Sequence, residues 1–282
     1  MRNILTGYSR ALYSNWLWHR PLRLVVDAGE GIHLALGKDV FAPDVVAITH
    51  GHSDHVLGLA GFAGARRFGK GAPTKPWTVL YPAESPGIAA TRDLIARLWR
   101  GVEFPVEWIA VRHGETYRLS QHRAIEAFAV THVPPEPAVG YRVLETRRRL
   151  KSTHAALSTD EVEALARSKG RDELMDTYTH VLFAHSGDAM PIDVSLVSSA
   201  DLLVHDATFL EAADRREPIH ASVEEVLRVA KEARVGTLVM NHLSVRYPRE
   251  EALTAIRERL DASGFDGDCW LLDESEFINL RT

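Results

Sequence analysis

Short apolar runs alternate with turn residues along this chain, a pattern that predicts many short strands with few helices between them. In the first half, the predicted strands are Leu22–Asp27, Val45–Thr49, Trp77–Tyr81, Phe104–Ile109, Ala124–Thr131 and Val139–Leu144. In the second half, they are Thr179–Ala184, Leu202–His205, Thr237–Asn241 and Trp270–Asp273. None of these runs approaches the ~18–20 consecutive apolar residues that a membrane-spanning helix needs. We therefore expect no membrane partner.

Helical spacing of apolar residues predicts helices at Ile88–Trp99, Val223–Ala233 and Arg249–Ala262. Ser222 precedes the second of these, and Glu225 follows three residues later, which is the spacing of a capping box. Both halves of the chain are thus rich in strands and carry helices at their outer side. This arrangement predicts an α/β fold, an αββα sandwich of two mixed β-sheets flanked by helices.

One segment, at about residues 145–177, interrupts the strand pattern. It begins with the basic side chains of Arg147, Arg148, Arg149 and Lys151 and continues into an amphipathic helix, Thr159–Ser168. We expect a single domain over residues 1–282 in which this segment is an inserted arm or lid. The basic side chains are candidates for binding RNA phosphates, and an ordinary solvated surface is the alternative.

The composition changes this picture little. Of 282 residues, 45% are hydrophobic and 25% are charged, which is ordinary for a globular protein and excludes a disordered or collagenous chain. A net charge of −5 gives no general attraction to nucleic acid, so any polyanion needs a local basic patch. The single cysteine cannot form an internal disulfide, and the first residues lack a continuous apolar leader. We therefore expect a cytoplasmic protein.

Histidine is the residue type that indicates chemistry, with 14 in the chain. His50, His52, Asp54 and His55 lie within six residues, directly after an apolar strand. Alternate residues of an extended segment point the same way, so His50 and His52 can share one ion while the following turn presents Asp54 and His55 to a second. These are ligands for Zn²⁺, and two such ions form a hydrolytic site. Mn²⁺ or Fe²⁺ can occupy the same donors.

This motif is similar to the signature of the metallo-β-lactamase superfamily, in which distant His, Asp and His ligands follow at strand ends. His132, Asp188 and His242 occupy such positions here. The resemblance implies two metal ions held by two sets of ligands joined by one bridging carboxylate. The implied sets are His50, His52 and His132 for the first metal and Asp54, His55 and His242 for the second, with Asp188 as the bridge.

Within the superfamily the chain resembles ribonuclease Z in four segments, namely residues 27–31, 204–209, 220–222 and 241–247. The resemblance implies a zinc-dependent phosphodiesterase that processes the 3′ end of RNA, with precursor tRNA as its substrate, and a homodimer. It also implies that Asp54 orients or deprotonates the attacking water. His220, held by Asp206, would protonate the departing oxygen.

Two departures from the ribonuclease Z pattern leave other functions open. The loop at residues 7–16 lacks the usual Gly/Ser/Pro-rich sequence, and the inserted segment lacks a Gly-Pro motif. The second hypothesis is therefore hydrolysis of a small phosphodiester, ester, lactone, cyclic nucleotide or sulfate ester by the same fold. A third is a metal-binding scaffold or RNA-binding protein without turnover, against which the complete set of ligands argues.

Overall fold

The computed structural model describes residues 1, 3–70, 75–100, 103 and 105–282. Within them the chain forms a six-stranded and an eight-stranded sheet. The strands of the first sheet are β1 (Leu5–Arg10), β2 (Ser14–His19), β3 (Leu24–Val26), β4 (Val45–Ala47), β5 (Trp77–Pro82) and β6 (Val106–Val111). Those of the second are β7 (Thr116–Arg118), β8 (Arg123–Ala129), β9 (Val139–Leu150), β10 (Met175–His185), β11 (Leu202–Asp206), β12 (Thr237–Asn241), β13 (Asp268–Asp273) and β14 (Glu276–Asn279).

Helices cover the outer faces of both sheets. In chain order the helices are α1 (Ile32–Leu36), α2 (Ser53–Val56), α3 (Gly58–Phe68), α4 (Pro86–Leu98), α5 (Thr159–Lys169), α6 (Arg171–Leu174), α7 (Val223–Glu232) and α8 (Arg249–Ser263). Of these, α5 and α6 lie in the segment predicted as an arm and not on a sheet face. The predicted capping box is present at α7, where Ser222 and Glu225 each bond the other's backbone N–H. No helix in the described part of the chain combines the length and the apolar character that crossing a membrane takes.

Both sheets are mixed, with parallel strands at their centres. In the first, β3 to β6 are parallel, and the β1–β2 hairpin adds antiparallel strands at one edge. In the second, β10 to β13 are parallel, and antiparallel strands flank them on both sides. Neighbouring parallel strands end at the same edge of a sheet, so their following loops collect there. That edge carries the predicted site residues.

Three apolar layers hold the fold together: one between the two sheets, one between the first sheet and its helices, and one between the second sheet and its helices. Leu24 and Val26 of β3 face the second sheet, while Val25 between them faces the helices on the outer side. Val204 of β11 likewise faces the first sheet, and Leu203 packs beneath α7 and α8. Because successive side chains of a strand point to opposite faces, both faces of each central strand are buried. The predicted αββα sandwich is confirmed.

Some elements differ from the sequence prediction. The β1–β2 hairpin and α3 were not predicted. All six residues of β2 are buried, so it lacks the alternation that identifies a half-buried strand. The strand predicted from Phe104 is β6, which begins at Val106, and Phe104 itself lies outside the described residues.

The segment predicted as an arm contains more strand than its sequence pattern suggests. β9 and β10 pair without interruption from Arg147 opposite Tyr178 to Leu150 opposite Met175. β8 accompanies β9 only as far as Glu145, so this outer part is a two-stranded ribbon. Between its strands lies α5, one residue longer at its end than the predicted helix. We call residues 145–180 the arm.

Candidate metal centre

The predicted ligands all lie just after strands. The segment from His50 to His55 follows β4 and runs into the short helix α2, which holds Asp54 and His55. His132 follows β8, Asp188 follows β10 and His242 follows β12. These four segments come from both sheets, and they meet at one end of the sandwich. The fold therefore brings together side chains that lie far apart in sequence.

The predicted ligands form two adjacent groups. In each group, the candidate ligand atoms lie within 4.8 Å of one another. The groups are His50, His52 and His132, and Asp54, His55 and His242. Asp188 lies between them, and it groups equally closely with His50 and His55. These groups coincide with the two ligand sets that the resemblance implies.

Asp188 is a carboxylate that lies close to ring nitrogens of both groups. Its Oδ2 lies 3.9 Å from Nε2 of His50, 3.4 Å from Nε2 of His55 and 3.1 Å from Nε2 of His242. Burial works against its charge, but the neighbouring His242 and His55 lower the pKa of Asp188 well below its usual range. Gly187, at φ +63°, makes the turn that positions it, and a Cβ there would lie 2.7 Å from Thr49.

The donor atoms fit a metal cation. Nε2 of His50 is buried and makes no hydrogen bond in the described part of the chain, and Nε2 of His242 is buried 3.1 Å from Oδ2 of Asp188. Buried polar atoms in proteins rarely lack a partner, and a cation supplies one for a ring nitrogen. Burial and the nearby His55 lower the pKa of His50, which favours the neutral imidazole that binds metals. Imidazole and carboxylate donors suit Zn²⁺, Mn²⁺ and Fe²⁺.

His52 and His132 complete the first group. Nε2 of His132 lies 3.2 Å from Nδ1 of His52, so two ring nitrogens point at the same small volume. Nδ1 of His132 lies 3.3 Å from the carbonyl oxygen of Ile219 and can donate to it, which leaves Nε2 free to bind a cation. Burial lowers the pKa of His132, again favouring the neutral ring.

Glu136 supports the loop that carries His50 and His52, a role that was not predicted from the sequence. Its carboxylate accepts hydrogen bonds from the backbone N–H of Gly51 at 3.0 Å and of Gly87 at 3.2 Å. It also accepts one from the hydroxyl of Ser85. The loop is therefore fixed against the first turn of α4. Glu136 belongs to no recognisable motif, so only the folded chain shows this role.

Asn15 and Ser9 of the β1–β2 hairpin also reach the centre. Nδ2 of Asn15 donates to Oδ2 of Asp54 at 3.0 Å. The hydroxyl of Ser9 donates to Oδ1 of Asn15 at 2.7 Å and accepts from the backbone N–H of His242 at 2.8 Å. The orientation of the Asn15 amide is thereby fixed. In the sequence both residues lie in the loop that departs from ribonuclease Z, and nothing there indicated their role.

The predicted proton donor lies beside both groups. Nδ1 of His220 is 2.6 Å from Oδ2 of Asp206, a fully buried carboxylate. The ring centroid of His220 is 5.2 Å from that of His132 and 5.0 Å from that of His242. Burial opposes protonation of His220, but Asp206 outweighs it and raises the pKa of His220 to about 9. Asp206 thus favours the protonated ring of His220.

Comparison with known proteins identifies the family of the chain. The family description of the metallo-beta-lactamase superfamily matches residues 18–150. Ribonuclease Z of Bradyrhizobium is 31% identical to the chain and aligns over 87% of it and 88% of the relative. The chain belongs to this superfamily and to its ribonuclease Z branch. Ribonuclease Z of Halobacterium salinarum is 30% identical over 87% of the chain and 84% of its own.

Solved structures of this superfamily share the whole fold. The short form of human tRNase Z matches 98% of both chains with a TM-score of 0.63 at 19% identity. The Bacillus subtilis metallo-beta-lactamase fold protein YhfI matches 97% of this chain and 98% of its own, with a TM-score of 0.64 at 16% identity. Membership of the ribonuclease Z branch makes the protein a metal-dependent hydrolase.

The basic side chains of the arm do not join the metal centre of this metallo-beta-lactamase-fold protein. Arg147 on β9 lies opposite Tyr178 of β10, whereas the metal end of β10 is His185. At ~3.3 Å per strand residue, the distance between these two positions along β10 is roughly 23 Å. Any substrate that contacts both regions must therefore be long.

Acidic neighbours already pair with part of the basic run. Arg147 pairs with Glu145 at 2.7 Å and Arg148 pairs with Asp172. Arg149 lies over the ring of Tyr178, 5.1 Å from its centroid. Lys151 is half-buried at the end of the ribbon. The arm, residues 145–180, contains seven Lys or Arg and seven Asp or Glu residues, so it has no net charge with neutral histidines.

Proposed function

We propose that this hydrolase cleaves phosphodiester bonds in RNA with two Zn²⁺ ions, and that 3′ processing of precursor tRNA is its activity. The observation that carries the proposal is the His220–Asp206 pair beside both groups of ligands. A protonated imidazole at that place is needed when the leaving group is a poor one, such as a ribose oxygen of RNA. The relatives named ribonuclease Z support the same substrate.

The roles of the chain's own residues follow from their positions. The first ion would be held by His50, His52 and His132, the second by Asp54, His55 and His242, with Asp188 shared between them. When bound, divalent ions acidify water and offset the charge that grows on phosphate oxygens. The same donors also accept Mn²⁺ or Fe²⁺.

Two side chains would move protons in this reaction. Asp54 is only partly buried, and Asn15 fixes one of its oxygens, so its carboxylate can orient the attacking water and accept its proton. His220 would give a proton to the departing oxygen, and Asp206 would stabilise the imidazolium before transfer. Asp54 would act at the bond that forms between the water oxygen and phosphorus, and His220 at the bond that breaks to the leaving oxygen, as general acid–base catalysis requires.

A direct comparison of two substrates tests the proposed function. We expect the zinc-loaded protein to cleave precursor tRNA at the 3′ side and to hydrolyse bis(p-nitrophenyl) phosphate more slowly. The measurement is the rate on each substrate, with RNA products resolved on a denaturing gel. Hydrolysis of the small diester without any cleavage of tRNA would instead favour a small-molecule substrate.

The arm offers a second test, because any RNA phosphate bound there is remote from the chemistry. Changing Arg147, Arg148 and Arg149 together to alanine should weaken RNA binding. The salt dependence should also flatten, by about one unit of slope in log K against log salt for each phosphate that the variant no longer binds. Hydrolysis of bis(p-nitrophenyl) phosphate should stay at the parent rate. Binding is measured by fluorescence anisotropy at several salt concentrations.

A charge-matched control separates specific binding by the arm from the general field of the protein. Arg97 on α4, Arg118 on β7 and Arg228 on α7 are exposed and lie outside the arm, so their triple alanine variant removes the same charge. That control should bind RNA like the parent. If both triple variants retain the parent's affinity at every salt concentration, the arm is an ordinary solvated surface.

The ion pairs of the arm favour a second candidate, hydrolysis of a small phosphodiester, ester, lactone, cyclic nucleotide or sulfate ester. Glu145 and Asp172 neutralise two of the three arginines that would bind phosphate. A small substrate needs no binding group at that distance from the metal centre. Homodimer formation and a cytoplasmic location stay predictions from the sequence.

A further inference from the structure

Two buried aspartates organise the histidines of the metal centre in the same way. Asp27 follows β3 of the first sheet, and Asp206 ends β11 of the second. Each carboxylate bonds one histidine directly and contacts a threonine hydroxyl, which in turn contacts a second histidine. The arrangement thus occurs once in each sheet, at the edge where the ligands meet.

In the first sheet, the directly bonded histidine is His55, whose Nδ1 lies 2.8 Å from Oδ2 of Asp27. The backbone N–H of Thr49 donates to Oδ1 of Asp27 at 2.7 Å, and its hydroxyl lies 2.9 Å from Oδ2. The same hydroxyl is 3.0 Å from Nδ1 of His50. Thr49, His50 and Asp27 are all almost fully buried, so water cannot replace these partners.

In the second sheet, the directly bonded histidine is His220, at 2.6 Å from Asp206. The backbone N–H of Thr208 donates to Oδ1 of Asp206 at 2.9 Å, and its hydroxyl donates to the same oxygen at 2.6 Å. That hydroxyl is 2.8 Å from Nδ1 of His242. Thr208 and Asp206 are also buried.

The number of protons fixes the direction of each chain of hydrogen bonds. A threonine hydroxyl carries one hydrogen, and an ionised carboxylate can only accept. The hydroxyl must therefore donate its hydrogen to the aspartate and accept from Nδ1–H of the histidine. In a neutral ring, the other nitrogen, Nε2, then carries a lone pair. Nε2 of His50 and Nε2 of His242 are both buried, and each lies within 3.9 Å of Oδ2 of Asp188.

We propose that Thr49 and Thr208 are positioning residues that set the tautomer and the ring orientation of one metal ligand each. This inference rests on the proposed ligand sets, because His50 belongs to the first and His242 to the second. Each hydroxyl holds Nδ1 protonated and presents Nε2 to the ion. The two sites are therefore prepared by separate but equivalent hydrogen-bond chains, each anchored in its own sheet.

Valine has the shape of threonine without the hydroxyl, and serine keeps the hydroxyl, so the two substitutions separate the proposed role from packing. We expect Thr49→Val to weaken Zn²⁺ binding at the first site and Thr208→Val to weaken it at the second, each by about 10–100-fold. Thr49→Ser and Thr208→Ser should bind like the parent. The measurement is titration of metal-free protein with Zn²⁺ against a chromogenic chelator.

Thr78→Val is the matched control, since Thr78 is buried and its hydroxyl contacts Tyr117 at 3.2 Å, away from the ligands. It should leave Zn²⁺ binding unchanged. Circular dichroism confirms that each variant is folded. Folded valine variants of Thr49 and Thr208 that bind two Zn²⁺ ions with the parent's affinity would overturn the proposal.

A second measurement needs no substitution at either threonine. Long-range ¹H–¹⁵N spectra of the metal-free parent distinguish a ring protonated at Nδ1 from one protonated at Nε2. We expect His50 and His242 to be Nδ1–H tautomers, and Nε2–H tautomers would contradict the inference. Neither readout involves hydrolysis, so a protein that binds Zn²⁺ as expected but cleaves no RNA would contradict the proposed function alone.

Discussion

Replacing Asp188 with alanine should abolish hydrolysis and remove metal from the protein. Its Oδ2 lies within 3.9 Å of histidine nitrogens from both groups, so the substitution weakens both sites together. We expect the rate on bis(p-nitrophenyl) phosphate to fall by at least about 1,000-fold. Metal ions contribute several kcal/mol of charge stabilisation, and ~1.36 kcal/mol corresponds to a factor of ten. Metal per chain is measured by plasma mass spectrometry.

Asp261→Ala provides the control for this variant. Asp261 is exposed on α8, so its replacement removes the same charge without touching the centre. It should retain the parent's rate and metal content. An Asp188→Ala protein that keeps two tightly bound ions per chain would contradict the shared role of Asp188.

Replacing His220 with alanine should slow only those substrates whose leaving group needs a proton. A positioned proton donor typically contributes ~10²–10⁴-fold to rate, and we expect a loss of that size for RNA. Hydrolysis of bis(p-nitrophenyl) phosphate should fall little, because p-nitrophenolate leaves without protonation. The measurement compares the rates of the parent and the variant on both substrates.

Two further variants sharpen this prediction. His113→Ala removes an exposed histidine that belongs to neither ligand group and should not change either rate. Asp206→Asn should slow RNA cleavage as His220→Ala does, and it should also weaken one Zn²⁺ site, because Asp206 contacts His242 through Thr208. An equal loss on both substrates for His220→Ala would rule out proton donation as its role.

The fold class was largely predictable from the sequence because the central strands are buried on both faces. Such strands are short, continuous apolar runs, and these can be recognised in the sequence without knowing which strands they pair with. The hairpin β1–β2 and the helix α3 were not visible. α3 is rich in glycine, which disfavours a helix, yet a Cβ at Gly58 would lie 2.0 Å from the carbonyl oxygen of Gly29. Packing therefore decided this helix against its local propensity.

The arm contains strands that its sequence pattern does not predict. In the arm, β9 extends to Leu150 and β10 begins at Met175. Near these two ends the sequence shows no alternation of polar and apolar residues. A two-stranded ribbon outside the sheet has no buried face, so nothing in its sequence enforces a period of two. Its pairing is decided by the strands that enter it from the sheet.

The sequence by itself determined the donor types and their local spacing, since the motif from His50 to His55 needs only a strand followed by a turn. Which distant residues complete the centre was decided by the tertiary structure. Thr208 and His242 are separated by 34 positions and Ser9 and His242 by 233, so no local pattern can show that they meet. Hydrogen bonds between strand ends form only after the sheets have packed. For that reason the supporting residues became visible only in the folded chain.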